Sequence, residues 1–267
     1  MKFKKIAIIG AGNLGFSIAK GLVTSGAISK ENLILTENNP KRLESLKADG
    51  YQAIMNNKEA VSGSDLVMLV VKPWQIDDLL SEIQPEVASK LPVLVSCVTG
   101  ILSSHIYDQL ACKPPLFRVM PNTGVAIGAS MSCISEHNNT ADQKAVISEL
   151  FSQLGEVLFI PEEHMPAATA LAGCGIAFAL RFIRAAIQAG VEIGFSAEDA
   201  KIMAAQITKG AAELILKNNS HPEAEIDKVT TPKGITITGL NEMEHAGFSS
   251  SIIKGLLASY NKIERKA

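Results

Sequence analysis

Several features that mark other protein classes are scarce in this sequence of 267 residues. Its 25 Lys and Arg are balanced by 27 Asp and Glu, so it lacks the basic excess typical of nucleic-acid-binding proteins. No apolar run reaches the roughly 20 residues that cross a bilayer, since the nearest, Met165 to Leu180, contains Pro166 and is followed by Arg181. The first residues lack a long apolar signal core. These absences predict a cytoplasmic protein without nucleic-acid or membrane partners.

Cysteine and histidine are also scarce, which bears on redox state and on metal binding. The four cysteines are widely spaced and form no C-x-x-C pair, which predicts reduced thiols. The single E-x-x-H, from Glu242 to His245, lacks the second copy that a carboxylate-bridged metal pair requires. The sequence also lacks the G-x-S-x-G elbow of serine hydrolases and the phosphate loop of nucleoside triphosphatases. We therefore expect no metal and neither of those two chemistries.

What the sequence does contain is a glycine-rich turn close to its beginning. Apolar residues at 6–9 have the length of a strand, and the three glycines that follow have G-x-G-x-x-G spacing before a helical apolar pattern. In such a turn the first glycine permits the bend, the second admits a pyrophosphate and the third permits close helix packing. The motif predicts a dinucleotide-binding site. Its cofactor-binding residues are Gly10, Gly12, Asn13, Leu14 and Gly15.

The predicted second strand ends at an acidic residue, which bears on the choice of cofactor. Glu37 lies about 20 positions after the glycines, where such folds hydrogen-bond the adenosine ribose hydroxyls of NADH. It could also be a solvated turn residue before Pro40. Asn38 follows directly, and Lys41 and Arg42 could receive the 2′-phosphate of NADPH. The sequence therefore predicts NADPH or NADH and leaves the choice open.

Strand and helix patterns alternate over the first 160 residues. Asp65 to Val71 is a continuous apolar run, as expected of a central parallel strand covered on both faces. The alternation predicts an α/β fold with a Rossmann-type doubly wound parallel sheet. Ligands bind beyond the carboxyl ends of such strands, where Lys72-Pro73 and Pro121-Asn122-Thr123 would lie.

The remaining residues, 161–267, are rich in Ala, Ile, Leu and Gly and show long helical patterns, for example Ile176 to Gly194 and Ala197 to Leu216. This part is too apolar to be a solitary helical bundle of its size. We therefore predict a dinucleotide-binding domain at 1–160 and an all-helical substrate and dimerisation domain at 161–267. The expected assembly is a homodimer or a larger assembly of dimers.

Several motifs, in this order and spacing, resemble those of the pyrroline-5-carboxylate reductases along the whole chain. They are Ile9 to Gly15, Val71-Lys72-Pro73, Ser96 to Gly100, Arg118 to Thr123, and the block from His221 through Thr231-Pro232-Lys233-Gly234-Ile235-Thr236 to Phe248. The resemblance implies a protein that reduces 1-pyrroline-5-carboxylate, a cyclic imino acid, to L-proline with NADPH or NADH. It also implies an intimate dimer with substrate between the two domains.

The resemblance further assigns individual residues. By position it implies that Asn57, Val71, Lys72, Pro73 and Cys97 line the cofactor site. It implies that Thr236 is the catalytic residue that meets the ring nitrogen of the substrate. The substrate-binding residues that we infer are Thr231, Lys233, Gly234, Ile235 and Asn122.

Local physical chemistry supports an anion site at Thr231-Pro232. Threonine is a good helix N-cap and proline is favoured at the first helical position, so a helix beginning here would offer free N–H groups to a carboxylate. Gly234 would allow close approach of the backbone. Lys233 could strengthen carboxylate binding or point to solvent. A plain helix start is the alternative on the local sequence alone.

The chain also departs from the family pattern, and this leaves other functions open. Ala172 to Phe178 replaces a segment that usually carries two hydroxyls, a proline and a phenol, and Lys233 replaces a glycine. A reductase of another cyclic imine and a non-catalytic dinucleotide-binding relative are therefore alternatives. A β-hydroxyacid dehydrogenase would need a lysine on the helix after Gly175, and none occurs before Lys201.

Overall fold

The computed structural model describes residues 3–264. Its Cα positions divide the chain into two compact units: the first comprises the chain up to Cys174 together with the stretch from Ser259, and the second comprises Gly175–Ala258. The predicted domain boundary between residues 160 and 161 stays a prediction.

The first unit is built on one sheet of eight strands in the order β3-β2-β1-β4-β5-β6-β7-β8. The strands are β1 (Ile6–Ile9), β2 (Leu33–Thr36), β3 (Gln52–Ile54), β4 (Leu66–Leu69), β5 (Val93–Ser96), β6 (Leu116–Met120), β7 (Ser130–His137) and β8 (Gly155–Phe159). Its helices are α1 (Asn13–Thr24), α2 (Pro40–Ala48), α3 (Asn57–Ser62), α4 (Ile76–Lys90), α5 (Ser103–Leu110), α6 (Ala141–Ser152) and α7 (Met165–Ala168), followed by a π-helical turn at Thr169–Cys174.

Both faces of this sheet are covered, as the continuous apolar strands predict. Along β1, Ile6 and Ile8 belong to one buried cluster, whereas Ala7 and Ile9 belong to another on the opposite face. The first six strands are mutually parallel, and the reversal of strand order between β1 and β4 creates the crevice where doubly wound folds bind ligands. The predicted Rossmann-type α/β fold class is confirmed.

One strand was not predicted. Ser130–His137 forms β7, which pairs antiparallel with β6 and parallel with β8. The sheet is therefore mostly parallel, and its last two strands, β7 and β8, run opposite to the first six. The segment Ser-Met-Ser-Cys-Ile-Ser-Glu-His has few β-branched or aromatic residues, so its local strand signal is weak and its pairing with β6 decides its conformation.

The second unit contains helices: α8 (Gly175–Glu192), α9 (Ala197–Asn218), α10 (Pro222–Lys228), α11 (Ile235–His245) and most of α12 (Phe248–Glu264). Many of its apolar side chains are exposed on the single chain, among them Ile193, Ile202, Ile207, Leu216, Ile253 and Leu257. A helical domain that buries such side chains only on pairing with another copy has this character.

The expectation about membrane-length apolar segments needs correction. Helical residues Glu162–Glu192 are long and apolar enough, by length and composition, to cross a membrane. The expectation counted only unbroken apolar runs in the sequence. Whether a helix can cross a membrane depends on its length and its average hydropathy, and a few polar residues do not prevent it. Single helices that pack within soluble proteins meet the same criterion, so this one is weak evidence for a membrane.

Candidate active site

The glycine-rich turn connects β1 to α1 as the sequence predicts. Gly10 has a φ of +98°, and a Cβ there would lie 2.7 Å from the carbonyl oxygen of Val70. Both the backbone conformation and the lack of space therefore exclude a side chain at this position. Gly12 precedes α1 as its N-cap without a side-chain cap, and a Cβ on it would meet nothing within 4 Å. The start of α1 therefore lacks a side-chain acceptor and has open space beside Gly12, which is the arrangement that receives a pyrophosphate.

The third glycine lies on the buried side of the turn. A Cβ on Gly15 would collide with the carbonyl oxygen of Gly10 and would lie 3.3 Å from the Ile8 side chain. Gly15 thus lets α1 pack onto β1. Asn13 begins α1, and Leu14 packs against the buried cluster on this face. These two residues support the turn and lie outside the lining of the cleft described next.

A cleft of about 350 Å³ opens above the carboxyl ends of β1, β2 and β4. Seven of the predicted cofactor residues line it together: Gly10, Gly12, Glu37, Asn38, Asn57, Val71 and Lys72. Four further polar residues of its lining were not predicted: Thr36, Gln75, Asp78 and Glu82. Asp78 and Glu82 lie on α4, which carries no local motif, so only the packing of α4 beside α3 places them here.

The acidic residue after β2 is held in place by the following turn. The Glu37 carboxylate accepts a hydrogen bond from the Asn39 N–H at 2.9 Å, and Asn39 in turn caps α2. Arg42 does not line this cleft. Its Nε donates to the carbonyl oxygen of Ala11 at 3.1 Å, and its guanidinium stacks over the Phe16 ring at 5.2 Å. Glu37 is therefore the charged residue that the turn presents to the cleft.

Asn57 is fixed by a partner that the sequence did not indicate. Its Nδ2 donates to a carboxylate oxygen of Glu82 at 2.9 Å. This bond holds the amide plane and leaves the Asn57 side-chain oxygen as an acceptor. On the other side of the cleft, Lys72 is exposed, its N–H donates to the Gln75 side chain at 3.1 Å, and Pro73 begins a 3-10 turn.

Cys97 follows β5 and is buried, outside the lining of this cleft. Its N–H donates to the carbonyl oxygen of Leu69 at 2.9 Å, which extends the pairing of β4 with β5. Burial raises the pKa of the Cys97 thiol to about 12, so the group is neutral at physiological pH. A neutral thiol is a poor nucleophile, and the position is suited to packing.

Asn122, a predicted substrate residue, has both ends of its side-chain amide engaged. Its Oδ1 accepts from the Gly124 N–H at 2.9 Å, and its Nδ2 donates to the carbonyl oxygen of Ala172 at 3.2 Å. The residue thus ties the turn after β6 to the π-helical turn. A role in binding substrate stays a prediction.

The predicted substrate turn lies in the second unit, and its helix begins later than expected. The Gly234 N–H donates to the carbonyl oxygen of Thr231 at 2.9 Å, so residues 231–234 form a β-turn, and α11 begins at Ile235 with Gly234 as N-cap. The prediction that Thr231 is the N-cap was therefore wrong. Pro232 suits the second position of a β-turn as well as the first position of a helix, and the chain uses the turn.

This turn leaves the start of α11 without a side-chain cap. Its first N–H groups are consequently free to meet an anion. Lys233 occupies the third position of the turn with a φ of +61°, a left-handed conformation that favours glycine. Ile235 and Thr236 are exposed at the first two positions of the helix. The structure therefore groups Lys233, Gly234, Ile235 and Thr236 at one helix end.

No cluster of three or more His, Cys, Asp or Glu side chains that could hold a metal occurs within residues 3–264. The parallel sheet, the glycine turn and the cleft define a Rossmann-type dinucleotide-binding protein with a helical second part. Two family models match the chain. Residues 5–100 match the model of the family described as NADP oxidoreductase coenzyme F420-dependent. Residues 162–266 match the model described as pyrroline-5-carboxylate reductase dimerisation.

Curated relatives cover nearly the whole chain. Pyrroline-5-carboxylate reductase 1 of Dictyostelium discoideum is 46% identical over 96% of this chain, which spans about half (49%) of that longer relative. Pyrroline-5-carboxylate reductase 2 of the same organism is 45% identical, with 97% of this chain and 92% of the relative covered. The chain therefore belongs to the pyrroline-5-carboxylate reductase family.

Solved structures agree with this assignment. A Plasmodium falciparum pyrroline carboxylate reductase with NADP bound superposes with a TM-score of 0.91 at 27% identity, covering 100% of this chain and 99% of that one. The 1-pyrroline-5-carboxylate reductase from Streptococcus pyogenes superposes with a TM-score of 0.86 at 26% identity, with 98% of each chain covered.

Proposed function

We propose that this protein reduces 1-pyrroline-5-carboxylate to L-proline with a hydride from NADPH or NADH, a step of proline biosynthesis. The observation that carries the proposal is the 45% identity to a named pyrroline-5-carboxylate reductase over 97% of the chain. The uncapped glycine turn and its cleft supply the dinucleotide site that this reaction needs.

The residues of the cleft fit a dinucleotide. The N–H groups at the start of α1 would bind the pyrophosphate beside Gly12, where even a Cβ would meet nothing within 4 Å. Glu37, Asn38 and Asn57 lie at the end where such folds hold the adenosine, and Val71 and Lys72 lie beyond the pyrophosphate. When bound, the reduced nicotinamide supplies the hydride. Pro73 and Cys97 would support this site from behind its lining.

The substrate is an anion with an electrophilic ring carbon. Its carboxylate would bind the free N–H groups at the start of α11, with Thr231, Gly234 and Ile235 shaping the turn and Lys233 adding positive charge. The Thr236 hydroxyl would hydrogen-bond the ring nitrogen. Hydride adds to the carbon of the protonated imine, whose π electrons become the nitrogen lone pair, so the protein's main task is to position the reactants and exclude water.

The dimerisation-domain match and the exposed apolar side chains of α8, α9 and α12 support a homo-oligomer. We propose a homodimer, or a larger assembly of such dimers, formed by a helical substrate and dimerisation domain at 161–267. A cytoplasmic location is proposed with it, since the four cysteines are free thiols.

The direct test is loss of reduced-nicotinamide absorbance when the purified protein meets 1-pyrroline-5-carboxylate, measured separately with NADH and NADPH. Rapid oxidation with either cofactor supports the proposal. Binding of the cofactor without oxidation would favour the non-catalytic alternative. Oxidation only with a six-membered cyclic imino acid would favour a different imine as substrate.

The role of Thr236 has its own test. Thr236→Ala should lower kcat by roughly tenfold, the order of one lost hydrogen bond to a charged group, with little change in cofactor Kd. Thr236→Ser keeps the hydroxyl and should retain most of the rate. Equal turnover in the wild-type protein and Thr236→Ala would remove Thr236 from the mechanism.

A further inference from the structure

A partly buried carboxylate outside the cleft joins three separate parts of the first unit. Glu162 follows β8 and begins the 3-10 turn Glu162–His164. One of its oxygens accepts from the Ser103 N–H and from Arg118 Nη1, both at 2.8 Å. Its other oxygen accepts from the Ser103 hydroxyl at 2.7 Å. The Arg118 side chain is 5% exposed and that of Glu162 is 23% exposed, so the cation is buried and the carboxylate keeps partial contact with water.

The bond to the Ser103 backbone supplies what α5 lacks locally. The N-cap of α5 is Leu102, whose apolar side chain makes no capping bond. Glu162 supplies the acceptor from 59 residues along the chain and places a negative charge at the positive end of the helix. Burial acts to raise the Glu162 pKa, but the hydrogen bonds from Ser103 and Arg118 and the Arg118 charge together lower it below its usual value, so the cap stays charged at neutral pH.

The other titratable groups beside Glu162 are mainly neutral near pH 7. His137 at the end of β7 lies 3.7 Å from Glu162, and burial lowers its pKa, so it is mainly neutral near pH 7. The Tyr107 hydroxyl on α5 is buried without a hydrogen-bond partner in the part of the chain that the structure describes. Burial and the Glu162 charge raise the Tyr107 pKa to about 12. Arg118 is therefore the cation that balances Glu162.

The capped helix fixes one end of the loop that follows β5. Residues 97–102 run from β5 to α5, with Cys97 and Val98 buried. Since the adenosine half of a dinucleotide lies near the end of β2, its nicotinamide half extends across β4 toward β5 and β6. This loop would therefore border the reacting end of a bound cofactor. Arg118 is paired in register with Ser96 on β5, so the Glu162–Arg118 bond also anchors the strand that leads into the loop.

We propose that Glu162 is a positioning residue: by capping α5 from a distance, it holds the 97–102 loop in the shape that hydride transfer requires. The proposal rests on the proposed reductase function for its kinetic consequence. Its structural consequence, an ordered loop and first turn of α5, does not depend on that function. The two consequences can be measured separately.

The test compares Glu162→Gln with Glu163→Gln, a matched change at the next residue, which is exposed. Glutamine keeps the size of the side chain but replaces one acceptor oxygen by a donor and removes the charge. We expect peptides covering residues 97–110 of the cofactor-free protein to exchange amide hydrogen several times faster in Glu162→Gln only. With cofactor and substrate saturating, kcat should fall roughly fivefold while cofactor Kd changes less than twofold.

A local cap should rescue the defect. Leu102 is 47% exposed, so Leu102→Asp removes only part of a leucine's buried apolar surface and places a good N-cap at the start of α5. In the Glu162→Gln background it should restore both exchange protection and kcat to near the values of Leu102→Asp alone. Unchanged exchange in Glu162→Gln, or slow turnover that persists after exchange protection returns, would overturn the proposal. If the wild-type protein does not oxidise the cofactor, the exchange data still decide whether Glu162 orders the loop.

Discussion

Replacing Lys233 by glycine should separate the conformational cost of this residue from its charge. Its φ of +61° costs an L-residue about 1 kcal/mol or more, and glycine relieves this cost. Glycine also increases the conformational freedom of the unfolded chain, which lowers the free energy of unfolding by about 0.5–1 kcal/mol and offsets part of this gain. The net change in unfolding free energy is therefore close to zero or slightly stabilising. Thermal denaturation should give a Tm unchanged or raised by a few degrees.

The charge has a different consequence in catalysis. A cation about 4 Å from the substrate carboxylate in high dielectric contributes on the order of 1 kcal/mol, so Lys233→Gly should raise the KM for 1-pyrroline-5-carboxylate about fivefold. Because that attraction is equal in the ground and transition states, kcat should be nearly constant. Lys233→Asn, which tolerates the left-handed conformation without the charge, should show the same KM, and Lys233→Arg should retain the wild-type value. Wild-type KM in Lys233→Gly would refute a role for this charge.

Three further predictions concern the cofactor site. Gly15→Ala should destabilise the fold by about 1–3 kcal/mol and lower the Tm, because its Cβ meets the Gly10 carbonyl oxygen. Gly12→Ala should leave the Tm unchanged and weaken cofactor binding, measured by fluorescence. Equal Tm values for the two variants would contradict these different roles. Glu37→Ser removes a carboxylate that repels a 2′-phosphate and should raise the NADPH to NADH ratio of kcat/KM roughly tenfold, and an unchanged ratio would remove Glu37 from selectivity. Glu82→Ala should free the Asn57 amide and raise the KM for the cofactor a fewfold at constant kcat, with Glu86→Ala on the same helix as the control.

The order of strand, turn and helix at the glycine motif could be predicted because each choice there is local. Gly10 needs a positive φ, Gly15 needs a missing Cβ, and the strand before them is apolar on both faces. The same reasoning failed at Thr231, since Pro232 is compatible with both a helix start and a β-turn. The left-handed conformation of Lys233 was not predicted either, because lysine carries no local preference for it; the glycine that the family usually has at this position is the signal that could have indicated it.

The sequence by itself determined the mostly parallel α/β sheet, the glycine-rich turn between β1 and α1, and the family motifs along the chain, since these depend on periodicity and on residues close in sequence. Only the tertiary structure decided the antiparallel pairing of β7, the bond from Glu82 to Asn57, and the cap that Glu162 gives to Ser103. The last two join groups that lie 25 and 59 residues apart. Such pairs have no local signature, because their partners meet only after the sheet and its covering helices have packed.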